Sequence, residues 1–228
     1  MTRDLVFTGF EGDDGSAQPG LAAALADGDP AGLMAELATA RLLVPIVAEP
    51  VETTVEDGLT VDKQTDMAAV TLVAPDGERA LPVFSSLDAL AAWDPSARPV
   101  PVTAARTGQA AVSERCDVVV VDVAGPVTRV LRPSMVWALA QERAWLPPHL
   151  DEFVATGVSR AVAEEPDVVS HHVEEGAPAG QGVLGVVLEL REGLAGDEVQ
   201  AVATRVGERL ATDGELRARI DGLAFRIR

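Results

Sequence analysis

Residues 116–134 read Cys116-Asp117-Val118-Val119-Val120-Val121-Asp122-Val123-Ala124-Gly125-Pro126-Val127-Thr128-Arg129-Val130-Leu131-Arg132-Pro133-Ser134. Asp117–Val123 is almost wholly β-branched, which predicts a strand buried on both faces. Gly125-Pro126 supplies a turn, because proline presets φ and glycine tolerates the left-handed region. A second strand, Val127–Leu131, follows. Pro133 suits the first position of a helix, where its missing N–H costs nothing, and predicts a helix over 133–144. Strand, turn, strand and helix in one short stretch make the chain α+β.

Working backwards, Thr103 caps a helix over 104–115 with Ala104, Ala111 and Val112 facing inward. Val100–Val102 is a short extended piece. Ser85 or Ser86 caps a helix over Leu87–Trp93, which stops at Asp94-Pro95. Met67–Ala74 and Arg79–Phe84 flank Pro75-Asp76-Gly77-Glu78 and predict a hairpin. Glu49–Asp66 is an acidic surface loop. Leu42–Ala48 is a strand whose Pro45 implies an edge or a bulge. Helices Leu21–Ala26 and Ala31–Arg41 break at Gly28-Asp29-Pro30, and Leu33, Met34 and Leu37 give the second an apolar face.

Working forwards, Leu146-Pro147-Pro148-His149 is a linker, since neither proline can donate to a helix or a ladder. Helix 151–164 carries Val154, Val158, Ala161 and Val162 on one face. Strands Val168–Val173 and Val183–Leu190 follow, then helix 197–211, a short helix from Thr212-Asp213-Gly214-Glu215, and a strand Leu223–Ile227. The expected organisation is a polar lead-in (1–20), an amino-terminal α+β domain with a mixed sheet and flanking helices (21–146), a Pro-rich linker (147–150), and a small carboxy-terminal domain (151–228). The last has the order α-β-β-α-α-β, for which a three-stranded sheet with helices on one face is the natural solution.

The chain has 228 residues and a net charge of −18. That charge disfavours nucleic acid and anionic membranes as partners, because phosphates would be repelled. No apolar run approaches the roughly 18 residues that span a bilayer, and the first residues lack a signal-like apolar stretch, so a cytoplasmic location is expected. Lys63 is the one lysine; every other cationic side chain is an arginine. The single cysteine, Cys116, excludes an internal disulfide.

No residue set converges on known chemistry. Cys116 has no histidine near it in sequence and suits a small buried residue better than a nucleophile. His171 and His172 are adjacent, so on a strand they face opposite ways and cannot share a metal. Glycine-rich phosphate loops and Gly-x-Ser-x-Gly elbows are absent from the sequence. Acidic pairs such as Glu164-Glu165 are expected to be solvated charge. Lys63-Gln64-Thr65-Asp66, with Met67 after it, is the one polar cluster of interest: it is either a recognition surface or a strand-entry turn with a weak ion pair. Trp93 and Trp145, if exposed, would anchor a partner better.

Several of these segments together resemble the SseB family, named for enhanced serine sensitivity, as in its actinobacterial members. The resemblance is carried by Lys63–Val70, by Leu81-Pro82-Val83-Phe84-Ser85-Ser86 with Leu90 and Trp93, by Cys116–Asp122, and by Val127–Trp137. Residues 151–228 look like a smaller SseB-type domain. The resemblance implies an α+β protein of poorly defined role, without a cofactor or an active site to carry over. A non-enzymatic interaction or regulatory protein is therefore expected. The alternatives are a binder of an amino acid or other small metabolite in a cleft between the two domains, and a thiol enzyme or hydrolase using Cys116.

Overall fold

The computed structural model describes residues 12–46, 70–75 and 77–228. The Lys63–Asp66 cluster and the acidic loop lie outside the described residues. The fold is α+β, with eight helices and nine strands among the described residues.

The four valines at the centre of the opening stretch form β5 (Val118–Val121). It pairs in parallel with β3 (Arg79–Val83) and antiparallel with β6 (Arg129–Leu131), and β3 pairs antiparallel with β2 (Leu72–Val73). The sheet order is β2-β3-β5-β6, a mixed sheet. β5 is shorter than expected because Asp122 takes φ of 54°, which turns the chain out of the ladder. The parallel pairing needs a crossover. It is supplied by α3 (Leu87–Trp93), β4 (Arg98–Thr103) and α4 (Ala104–Ser113). Ser86 and Thr103 cap the two helices through their hydroxyl oxygens.

β1 (Arg41–Ile46) pairs antiparallel with β4, placing Pro45 opposite Pro99 in a two-stranded ribbon. A bridge between Leu43 and Phe84 joins that ribbon to the end of β3. Helices α1 (Pro19–Asp27), α2 (Pro30–Leu37), α4 and α5 (Pro133–Ala140) bury one face of the mixed sheet. Leu81, Val83, Val119, Val121 and Leu131 on the strands meet Leu37, Ala111, Met135 and Leu139 on the helices. α4 crosses α5 at Gly108: a Cβ there would stand 2.6 Å from the Ala140 nitrogen. Val112 is 62% exposed rather than inward. The buried stripe of α4 runs Ala104, Thr107, Gly108, Ala111, and Val112 lies just past its edge.

The expected helix over 133–144 ends at Ala140. Glu142 takes φ of 54°, and the Arg143 N–H reaches back to the Ala138 carbonyl, closing a Schellman turn. The lead-in is also more than a polar tail. Asp13 and Ser16 grip the buried Arg41, whose guanidinium donates to Asp13 at 2.9 Å, to the Ser16 carbonyl at 2.7 Å and to the Ser85 carbonyl at 3.0 Å.

Pro148–Leu150 forms one 3-10 turn with Pro148 buried. Beyond it come α6 (Glu152–Val162), β7 (Val168–Glu175), β8 (Val183–Leu190), α7 (Gly196–Thr212), α8 (Gly214–Arg219) and β9 (Gly222–Ile227). β8 lies between an antiparallel β7 and a parallel β9. Val154 and Val158 of α6, Val202 and Val206 of α7 and Leu216 of α8 pack on Leu184, Val186 and Leu188, a second core separate from the first. Glu165 departs from the expectation of solvated charge. It is 4% exposed, accepting hydrogen bonds from Arg205 at 2.6 Å and Arg209 at 2.7 Å.

Candidate functional site

The described surface carries several depressions of useful size. The first, about 640 Å3, lies between α2, α4, α5 and the Schellman turn. The second, about 340 Å3, lies between α6, α7 and α8. The third, about 420 Å3, sits beyond the carboxyl ends of β3 and β5, beside α1 and α3. The carboxyl end of a parallel pair is where α/β sheets place ligands. Here two of the polar groups are bonded to each other: Ser85 donates to Asp122 through its N–H at 2.8 Å and through its hydroxyl at 2.7 Å. Ser85 Oγ is thereby committed. Among the described residues lining this depression, no histidine stands beside the Ser85 hydroxyl to activate it as a nucleophile.

The first depression is different in kind. Met34 and Ala35 of α2 with Ala38, which caps it, form one wall, Ala104, Ala105 and Arg106 of α4 another, and Leu139 of α5 the floor. Short side chains at 31, 35, 38, 104, 105 and 138 leave the space open. The Schellman turn after α5 then swings Glu142, Arg143 and Trp145 to the rim. All of these belong to residues 31–145, so the pocket is not a cleft between the two expected domains. Arg106 has no carboxylate partner among the described residues.

The rim nevertheless reaches the second core. Arg143 pairs with Glu215 of α8 at 2.5 Å and lies 5.3 Å from the centroid of the Trp137 ring. Arg219 of α8 lies 5.7 Å from the same ring and 4.5 Å from that of Phe153, and pairs with Asp151 and Glu215, each at 2.7 Å. Trp145 donates its indole N–H to Ser134 Oγ at 3.0 Å. Ser134 in turn donates its N–H and hydroxyl to Asp221 at 2.7 and 2.8 Å. Burial pushes the Asp221 carboxyl above its ordinary value, against the pull of the two Ser134 bonds. Gly182, at φ of 69°, accepts the Asp221 N–H through its carbonyl at 2.9 Å and leaves room for the carboxylate.

The residues singled out from sequence scatter. Trp93 is half-buried, 5.4 Å from Phe84, in a small cluster with Leu43 and Leu90. Trp145 packs on the first core and its N–H is taken, so neither tryptophan is a free anchor. Cys116 is half-buried against the same core, and burial raises its thiol above the ordinary range. His171 meets Ser159 Oγ at 3.0 Å, while His172 lies 3.9 Å from Glu174 on the other face. Among the described residues, no group of three or more His, Cys, Asp or Glu stands ready to hold a metal. Nor is any helix there long and apolar enough to cross a membrane. Sequence reading missed Arg143 and Asp221, because each gains its role only when α5 meets α8. The one available signal was the run of alanines along α2 and α4, which leaves an apolar wall unfilled.

A family model described as the SseB protein N-terminal domain matches residues 20–138. No curated protein and no solved structure matches the chain.

Proposed function

The chain belongs to the SseB family, and from that premise we propose that it is a non-enzymatic regulatory protein that acts by binding a small molecule in the pocket between α2, α4 and α5. One observation carries the reading: the pocket of about 640 Å3, within the range of roughly 300–1,000 Å3 typical of ligand sites. Its α2 wall and its floor are apolar, its α4 wall carries Arg106, its rim carries Arg143 and Trp145, and most of it falls within the matched segment. The raised Cys116 thiol and the committed Ser85 hydroxyl weigh against an enzyme. An amino acid or a metabolite of similar size is the expected occupant. A thermal-shift screen of such compounds tests it: a ligand at a hundred times its Kd stabilises the fold by about 2.7 kcal/mol. No shift across the panel at millimolar concentration overturns the reading.

A protein partner is the second reading. Leu146, 48% exposed, precedes the 3-10 turn and Leu150, 61% exposed, closes it, where the two cores meet. Solvent-facing leucines around two rigid prolines suit a contact. Replacing both with serine should abolish any complex recovered from cells and leave the fold intact; a complex that survives removes the reading.

A further inference from the structure

We propose that the occupant of this pocket carries an anionic group, and that Arg143 is exchanged between that group and Glu215, so that filling the pocket loosens α8 from α5. The inference rests on the pocket reading above and goes on to its ligand class and its output. Arg143 lines the pocket, and its one carboxylate partner among the described residues belongs to the other core. Its side chain is 48% exposed, so a turn from Glu215 toward the cavity buries no unpaired charge. Glu215 does not depend on it, because Arg219 also pairs with Glu215, at 2.7 Å. Exposed ion pairs are weak, so an anion at the rim competes on even terms. Arg106 on the facing wall has no carboxylate partner among the described residues. In a chain of net charge −18, two guanidiniums at one cavity, opposed there by Glu142, make a local exception. Such a concentration favours a small acid with an apolar body.

The test uses two fluorescent probes of like shape on the full chain: 8-anilinonaphthalene-1-sulfonate, which is anionic, and N-phenyl-1-naphthylamine, which is neutral. Glu215→Gln frees Arg143 and should tighten the sulfonate about two- to five-fold, the scale of an exposed pair, leaving the neutral probe unchanged. Glu208→Gln, an exposed carboxylate with no partner among the described residues, is the control for net charge and should change neither. Ala35→Phe fills the cavity and should abolish binding of both. In the wild type, the sulfonate should speed amide exchange in Gly214–Arg219. The exchange is overturned if Glu215→Gln leaves the sulfonate affinity unchanged, if both probes or the Glu208 control respond equally, or if α8 amides do not respond. Sulfonate binding that survives Ala35→Phe also overturns it. If neither probe binds the wild type, the pocket reading itself fails.

Discussion

Single side chains carry opposite pH signatures in this molecule. Arg205, then Arg209, hold the Glu165 carboxyl below its ordinary 4.5. Its contribution to stability is therefore complete above that pH and is lost as pH falls through the folded-state value. Asp221 runs the other way. Burial holds it above 3.8, so the folded protein takes up its proton first. Stability from that group grows as pH falls through its folded-state value and is complete below 3.8. Glu165→Gln should cost about 1–2 kcal/mol at neutral pH, reduced from a fully buried charged bond because Arg205 is half-exposed, and should flatten the acid loss. Asp221→Asn should remove the compensating gain and steepen it. Urea midpoints measured from about pH 7 to about pH 3 check both signs; matching pH profiles for the two variants would contradict the assignment.

At the scale of elements, the sequence announces most helices and strands through local chemistry and misplaces their ends where a left-handed residue intervenes. Arg115, Asp122 and Glu142 all take positive φ, and none is a glycine or an asparagine that would have signalled it. The parallel pairing of β3 with β5 was equally hidden, since a valine run looks the same in either direction. Arg115 closes α4 as Glu142 closes α5, with the Cys116 N–H on the Ala111 carbonyl at 2.8 Å. Arg115→Gly should therefore stabilise by about 0.5–1 kcal/mol by relieving the left-handed strain. Gly108→Ala should do the opposite of an ordinary helical Gly→Ala change. Its Cβ meets backbone atoms of Val136 and Ala140 at 2.6–3.0 Å, so the crossing must widen at a cost of about 1–3 kcal/mol. Chemical denaturation reads both; a stabilising Gly108→Ala would mean that the crossing is looser than described. The candidate pocket depends on the same crossing and on the turn at Glu142. It was therefore visible in sequence only as alanines without a purpose.

At the scale of the whole molecule, the polar contacts between the two cores among the described residues centre on Ser134–Asp221 and Arg143–Glu215. All three tryptophans lie before the linker: Trp137 and Trp145 pack on the first core, and Trp93 packs on the small Leu43, Phe84 and Leu90 cluster. Asp221→Ala removes the acceptor of both Ser134 bonds and should part the unfolding of the two cores. Tryptophan fluorescence would keep a single late transition, while far-ultraviolet circular dichroism would gain an earlier step. Coincident curves with an unmoved midpoint would show that the cores are coupled by other means. Ser134 and Asp221 lie 87 residues apart, and that separation has a consequence for synthesis. During translation, every residue of the first core leaves the ribosome before Asp221 is made. The nascent chain thus has time to form α5 and display Ser134 as a waiting dock. Synonymous codon changes that alter elongation speed between these positions would then act on the pairing of the two halves while leaving either half's own folding alone.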